Sequence, residues 1–389
     1  MTIPTGGIAK DDSFFDREKD RKNLWRQLKK DHVMLFGPRR LGKSSLLSHM
    51  VGVEAKDQGY PAAALIDLER CASVRAALEA IDAEFPAEEV KALWKKVVGQ
   101  VKAARPKIEK GPLSLDLNDP QAPAWADLAN GLCARLIDKP VLICLDEFPV
   151  FLEKLLKADK AEAEYFCRWL RDFRSRASAC RFIFSGSIGI NSLLTRHNLT
   201  THFNDPHYYR LEAFSRKAAL EMLNIQSEKE GWHLPRRAAE KICDRIGWLT
   251  PYYLNLMLLE SVRSAEDRED EEGEGKKTLL EEDVENAYSR LLASRPRFTH
   301  WHQRLEDSLA EPERGLAKEI LAIAAQSEAG LSREQLKRRL KFKGRAKPDF
   351  PGLMARVFQF LEDDGYLSAE EPIRFLSFPL RDYWKRNHV

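Results

Sequence analysis

The stretch VMLFGPRRLGKSS, residues 33 to 45, decides the fold of this chain. Val33 to Phe36 is an apolar run with the length of a buried strand, and a helical pattern begins at Lys43. Between them the residues fit the spacing G-x-x-x-x-G-K-[ST], in which the backbone N–H groups of a loop surround phosphate. The sequence therefore predicts a phosphate-binding loop with these members: Gly37, Pro38, Arg39, Arg40, Leu41, Gly42, Lys43, Ser44 and Ser45.

Two side chains of this loop have predicted roles. Lys43 would reach the terminal phosphates of a nucleotide, and the Ser44 hydroxyl would ligate Mg²⁺. The start of the following helix would add backbone N–H groups and a favourable dipole. A nucleotide and Mg²⁺ are therefore the predicted ligands. The alternative is a chance match in a turn, against which the strand before the loop and the helix after it both argue.

An acidic pair supplies the second element that hydrolysis needs. The apolar run Val141 to Leu145 places Asp146 at the carboxyl end of a buried strand, where α/β sheets bind ligands. Asp146 would hold Mg²⁺, and Glu147 would act as general base toward water. The alternative is a pair of ordinary solvated carboxylates.

A hydroxyl follows the next predicted strand. Arg181 to Phe184 ends at Ser185, whose hydroxyl could hold the attacking water or the γ-phosphate, and Ser187 is a second candidate. A strand-to-helix turn rich in small residues is the equally weighted alternative.

Composition sets broad limits on what the chain can be. Its 389 residues predict two or three domains, and 43% hydrophobic residues can fill a core. The net charge of +3 favours neither binding nor avoidance of nucleic acid. No apolar run approaches membrane-spanning length, so we expect a cytoplasmic protein without a membrane partner. The six cysteines lack metal-ligand spacing and are expected to be buried thiols, and His300 with His302 has no third ligand nearby.

Strand patterns alternate with helical ones through the first half of the chain. This alternation predicts an α/β fold with a parallel sheet in residues 1–212, with a helical insertion at about 71–138 and a possible edge strand near 113–117. Residues 213–299 have an all-helical pattern, and the charged run 263–277 is expected to be an exposed loop. The core strands are predicted at Val33–Phe36, Pro61–Leu68, Val141–Leu145, Arg181–Phe184 and Tyr208–Leu211.

The last region, 300–389, shows three helical patterns and two short strand candidates around 370–372, the layout of a winged helix-turn-helix domain. Seven basic residues lie between Lys337 and Lys347, and they would contact a DNA backbone. The third helix offers Arg356 and Gln359 for base contacts but ends in acidic residues that repel phosphate. DNA and a protein partner therefore remain open alternatives.

Six motifs together resemble one family. They are FDRE (15–18), GPRRLGKS (37–44), LDEF (145–148), SGS (185–187), LEAFS (211–215) and GWLTPYY (247–253). Their order is similar to that of prokaryotic AAA-type ATPases of the archaeal ATPase and STAND group. The resemblance implies a P-loop core, an α-helical lid at 213–299 and a C-terminal winged helix. It also implies that Phe15 and Arg17 lie near adenine and that Pro251 contacts the nucleotide pocket, although Trp248 replaces the glycine usual in the lid motif.

Three functional hypotheses follow from these features. The first is an ATPase that couples hydrolysis to the C-terminal module. The second is a low-turnover nucleotide switch that acts on a protein partner, and the third is a DNA-dependent ATPase. An arginine finger supplied from the helical segment that carries Arg168, Arg171, Arg174 and Arg176 would require a homo-oligomer. A solvated basic helix face is the favoured interpretation of these arginines.

Overall fold

The predicted α/β fold is confirmed by a parallel five-stranded sheet in order β2-β3-β4-β1-β5. The computed structural model describes residues 3, 6–9, 14–86, 123–186, 189–272, 277–341 and 348–389. Each strand lies within two residues of its predicted position. The strands are β1 (Val33–Phe36), β2 (Ala62–Asp67), β3 (Val141–Asp146), β4 (Arg181–Gly186) and β5 (His207–Arg210).

Central strands of this sheet are covered on both faces, as continuous apolar strands require. Every residue of β3 is buried, and so are the last five residues of β4. Aromatic side chains fill one side of the sheet, where the Phe148 ring meets the Phe184 ring with 5.0 Å between centroids. The helices of this first unit, which comprises Lys10–Gly37 and Lys43–Leu211, are Glu18–Leu28, Lys43–His49 with a π-helical continuation Met50–Glu54, Val74–Glu84, Ala126–Leu136, Phe148–Ala158, Lys160–Arg176 and Ile190–Arg196.

A second unit contains Glu212–Val389, the loop segment Pro38–Gly42 and the start of the chain. Its regular structure is helical. Apolar helix faces form its interior, where the Trp301 indole donates to the Tyr253 hydroxyl at 3.1 Å. The helices are Arg216–Lys229, Arg236–Ile246, Pro251–Glu272, Glu281–Ala293, Pro296–Ser308, Glu313–Ala325, Arg333–Arg339, Phe350–Asp363 and Phe378–His388.

The predicted loop at 263–277 is wrong over most of its length, because the helix Pro251–Glu272 continues through it. Val262 and Ala265 are buried and extend the apolar face of the helix. Arg268 pairs with buried Asp283 at 3.2 Å, which ties the charged part of the helix to its neighbour. Glutamate and arginine are also good helix formers, so charge alone is a poor indicator of a loop.

The three predicted helical patterns of the last region correspond to Glu313–Ala325, Arg333–Arg339 and Phe350–Asp363, whereas the sequence did not predict the helices Pro296–Ser308 and Phe378–His388. Ser332 caps Arg333–Arg339 in a capping box with Gln335. Short antiparallel bridges join Leu331 to Ile373 and Leu367 to Phe375. The assignment of this region as a winged helix remains a prediction.

Several other expectations concern burial and membrane segments. All six cysteines are buried free thiols, as expected from their apolar surroundings. Within the described ranges, no helix has the length and apolarity needed to cross a bilayer. The possible strand at 113–117 and much of the helical insertion lie outside the described residues.

Candidate functional site

The two ends of the predicted phosphate loop are fixed by backbone geometry and by one lysine. The Lys43 side chain is 5% exposed, and its Nζ donates to the Gly37 carbonyl oxygen at 2.7 Å. Gly42, just before the lysine, has φ +86°, a left-handed conformation that favours glycine. Ser44 and Ser45 follow in the first turn of a helical run that continues to Glu54. The Lys43 side chain is therefore held beside Gly37, the first residue of the loop.

Strand order brings the acidic pair and Ser185 to the same edge as this loop. All four strand pairings are parallel, so the carboxyl ends of the strands share one edge of the sheet. β4 lies between β1 and β3, with Phe36 opposite Gly186 and Leu145 opposite Phe184. At a strand spacing of about 4.8 Å, the ends of β1 and β3 lie about 10 Å apart.

Asp146 and Glu147 occupy different backbone environments. Asp146 ends β3 and is 6% exposed, and its Oδ1 accepts a hydrogen bond from the Glu147 N–H at 3.1 Å. Glu147 has φ +51° and is the N-cap residue of Phe148–Ala158. A non-glycine residue with positive φ is uncommon and marks a position worth a functional test. The chain turns sharply at Glu147, which sets it apart from the strand that carries Asp146.

Ser185 is fully buried on β4, and its Oγ has no hydrogen-bond partner among the described residues. Its neighbour Gly186 lies against the turn that follows Asp146, since a Cβ on Gly186 would stand 2.2 Å from Cδ of Pro149. Only glycine fits here without displacement, so β4 and the turn at Glu147 are packed together. Ser187, the second hydroxyl candidate, lies outside the described residues.

The motif predicted to lie near adenine forms a bend before the first helix. Arg17 is 6% exposed with φ +67°, and burial lowers its pKa. Its Nη1 donates to Asp20 Oδ2 at 3.3 Å, and the Tyr209 hydroxyl donates to the other oxygen of Asp20 at 2.7 Å. Arg17 is the N-cap residue of the helix Glu18–Leu28, and its side chain makes no cap hydrogen bond. Phe15 is partly exposed beside this bend.

The tip of the phosphate loop, residues 38–40, is held within the second unit by long-range contacts. No pattern in the sequence indicates these contacts. The Arg40 guanidinium carbon lies 3.6 Å from the centre of the Tyr252 ring, and its Nη2 lies 3.0 Å from Nδ1 of His300. Burial and the nearby Arg40 and Arg39 lower the pKa of His300 to about 3, so the imidazole is neutral and Nδ1 accepts from Arg40. Pro251 lies 3.8 Å from a Cβ built on Gly42.

Arg174 does not belong to a solvated helix face, although Arg168 and Arg171 are exposed as expected. Its side chain is 0% exposed and forms a bidentate ion pair with Asp205, with distances of 2.8 and 2.9 Å. The guanidinium also lies over Phe203, 4.8 Å from the ring centre. A buried arginine that is ion-paired inside its own chain is a poor candidate for a finger that acts on another subunit.

Comparisons with solved structures show the same fold over nearly the whole chain. A Walker-type ATPase of Pyrococcus abyssi matches with TM-score 0.65 and 16% identity, covering 99% of this chain and 100% of the other. The ORC2 protein of Aeropyrum pernix, solved as ADPNP–ADP complexes, matches with TM-score 0.60 and 15% identity, covering 99% and 95%. No protein-family profile and no curated protein matches the chain. The chain therefore has the P-loop NTPase α/β fold with a helical C-terminal region.

Proposed function

We propose that this protein binds ATP with Mg²⁺ and hydrolyses it at the carboxyl edge of the sheet. One observation carries the proposal: β4, with Ser185, lies between the strand that leads into the phosphate loop and the strand that ends at Asp146. On this proposal a lysine, a hydroxyl and two carboxylates would face the bound phosphates. The two solved neighbours, a Walker-type ATPase and a protein complexed with ADPNP and ADP, support this choice of ligand.

The residues at the edge suit Mg²⁺. The Ser44 hydroxyl and the Asp146 carboxylate are hard oxygen ligands of the kind that Mg²⁺ prefers alongside water and phosphate. Mg²⁺, when bound, would neutralise charge on the phosphate oxygens. Asp146 is held in place by the hydrogen bond from the Glu147 N–H, so its orientation is set before any ligand arrives.

Each protein group has a defined part in the proposed reaction. Lys43 stabilises negative charge on the β- and γ-phosphates, and Ser185 orients the attacking water or the γ-phosphate. Glu147 accepts the proton as the water oxygen bonds to the γ-phosphorus and the bond to the bridging oxygen breaks, giving ADP and phosphate. Phe15 and Arg17 are proposed to lie near adenine, and Pro251 to contact the nucleotide pocket.

We further propose that the helical residues 213–299 act as a lid and that residues 300–389 form a winged helix that transmits nucleotide state. The two side chains that the predicted third helix would use to read bases already form hydrogen bonds to carboxylates within the protein. Arg356 donates to Glu313 at 2.9 Å, and Gln359 donates to Asp363 at 2.7 Å. These contacts favour a protein partner or DNA-backbone contacts from Lys337 to Lys341 over base reading.

Equilibrium binding tests the proposal directly. Wild-type protein should bind a fluorescent ATP analogue, Lys43→Ala should lose at least about 100-fold in affinity, and Asp146→Asn should lose the Mg²⁺ dependence of binding. Lys56→Ala, at an exposed lysine after the helical run, is the matched control and should bind like wild type. Normal binding and turnover by Lys43→Ala would overturn the assignment.

A further inference from the structure

The tip of the phosphate loop has an unusual backbone for the residue it carries. Arg40 has φ +71°, in the left-handed region that costs a non-glycine residue about 1–2 kcal/mol. Asparagine can stabilise this conformation by a hydrogen bond from its short side chain to the local backbone, whereas arginine does not. Contacts elsewhere must therefore hold Arg40 in this conformation.

Those contacts come from two helices of the second unit. Tyr252, in the first turn of Pro251–Glu272, presents its ring face to the Arg40 guanidinium at 3.6 Å. His300, in Pro296–Ser308, accepts from Arg40 Nη2 at 3.0 Å. Cation–π contacts and hydrogen bonds from charged donors each stabilise by about 1–3 kcal/mol when partly desolvated. Together they are large enough to offset the cost of the left-handed backbone.

A third contact fixes the residue at the start of the tip. Pro38 is buried, and a Cβ built on Gly365 would stand 2.8 Å from the Cβ of Pro38 and 2.8 Å from the Trp248 ring. Gly365 itself has φ +81°. Both ends of the segment 38–40 are thus held by residues that lie more than 200 positions later in the chain.

We propose that Tyr252 and His300 are positioning residues for nucleotide binding, which act by holding Arg40 and with it the phosphate loop in its binding conformation. This inference rests on the function proposed above. Lys43 follows Arg40 by three residues, so relaxation of Arg40 to negative φ would displace the N–H groups and the lysine that bind phosphate. Loss of the contacts should weaken ATP and ADP alike, because both carry the phosphates nearest the loop.

Matched substitutions separate this role from ordinary packing. Tyr252→Leu removes the aromatic face and Tyr252→Phe keeps it. His300→Leu removes the acceptor, whereas His300→Asn places an amide oxygen near the position of Nδ1. Tyr252→Leu and His300→Leu should each weaken ADP binding about tenfold, equivalent to about 1.4 kcal/mol. Tyr252→Phe and His300→Asn should remain within about threefold of wild type, a loss of under about 0.7 kcal/mol.

A substitution at position 40 that favours the left-handed backbone separates a positioning role from a purely structural one. Asparagine tolerates the left-handed region, so Arg40→Asn should bind ADP more tightly than Arg40→Ala although neither can contact Tyr252 or His300. Equal affinities for these two variants would show that backbone conformation at position 40 is not what the contacts control.

The experiment measures the Kd of a fluorescent ADP for all of these variants, with circular dichroism as a check on folding. The inference is supported if the leucine variants are weakened and their partners are not. It is overturned if a folded Tyr252→Leu or His300→Leu binds like wild type. If wild type itself fails to bind ADP while remaining folded, the proposed function fails first, and the two failures are thereby distinguished.

Discussion

The carboxyl edge of the sheet and the tip of the phosphate loop present two ways of placing functional residues. At the edge, Ser185 and Asp146 are positioned by strand register, a backbone property shared by any sequence that forms these strands. At the tip, Arg40 is positioned by side chains on distant helices, one of them 260 residues away. Placement by register withstands most substitutions nearby, whereas placement by side-chain contact depends on a few particular residues.

Acid should lower the stability of the folded protein through buried His32. This is the largest effect expected from a residue outside the proposed phosphate-binding site. His32 donates from Nε2 to the Arg174 carbonyl at 3.2 Å and accepts at Nδ1 from the Phe182 N–H on β4 at 3.1 Å. A neutral ring suits both bonds, and burial lowers the pKa of His32 to about 4. The unfolded chain, with an ordinary pKa of about 6.5, takes up a proton first, so stability falls as pH drops from 6.5 to 4.

The loss attributable to His32 should be roughly 3 kcal/mol over that range. Urea denaturation of wild type and His32→Asn at pH 7 and at pH 4.5 measures it. The variant should be less stable than wild type at pH 7 and should lose less on acidification. Equal losses in the two proteins would show that His32 does not titrate on unfolding.

Two glycine substitutions with opposite expected effects on stability come next. The first tests packing at the carboxyl edge of the sheet, and the second is a comparison at an open helix position. Gly186→Ala forces a Cβ into Pro149 and should destabilise the protein by about 1–3 kcal/mol and slow turnover, because the turn at Glu147 must move. Gly131→Ala, inside helix Ala126–Leu136 with nothing within 4 Å of the new Cβ, should stabilise by about 0.5–1 kcal/mol. Thermal denaturation gives both values, and a neutral Gly186→Ala would contradict the observed packing.

The smallest effect concerns a local contact in the second unit. Ser332→Ala removes the side-chain acceptor of a capping box and should cost about 1 kcal/mol, whereas Ser332→Thr retains the oxygen. Neither change should alter ADP affinity, because the hydrogen bonds of the Ser332 cap are made to Gln335 and not to the residues that hold Arg40. A large affinity change in Ser332→Ala would mean that any destabilisation of this unit weakens binding, and the specific role of Tyr252 and His300 would be lost.

The same division separates the structural features that the sequence could predict from those that it could not. Apolar runs with polar ends identified all five strands, and the parallel arrangement then brought Asp146 and Ser185 to one edge with the phosphate loop. Local chemistry likewise identified the Ser332 cap. These features depend on residues adjacent in sequence or on strand register.

Features that depend on tertiary contacts could not be predicted. The charged run after Arg263 continues the helix Pro251–Glu272, in which Val262 and Ala265 are buried. Arg174 is buried because Asp205 lies opposite it. Nothing in the spacing of Arg40, Tyr252 and His300 indicates that they meet.

The most direct test of hydrolysis at this edge is phosphate release from ATP by wild type and Glu147→Gln under single-turnover conditions, with ATP binding measured for both. We expect equal binding and release slowed by about 10²–10⁴-fold in Glu147→Gln, since that variant cannot accept the proton of the attacking water. Equal release rates with equal binding would contradict hydrolysis at this edge and would favour a nucleotide switch with negligible turnover.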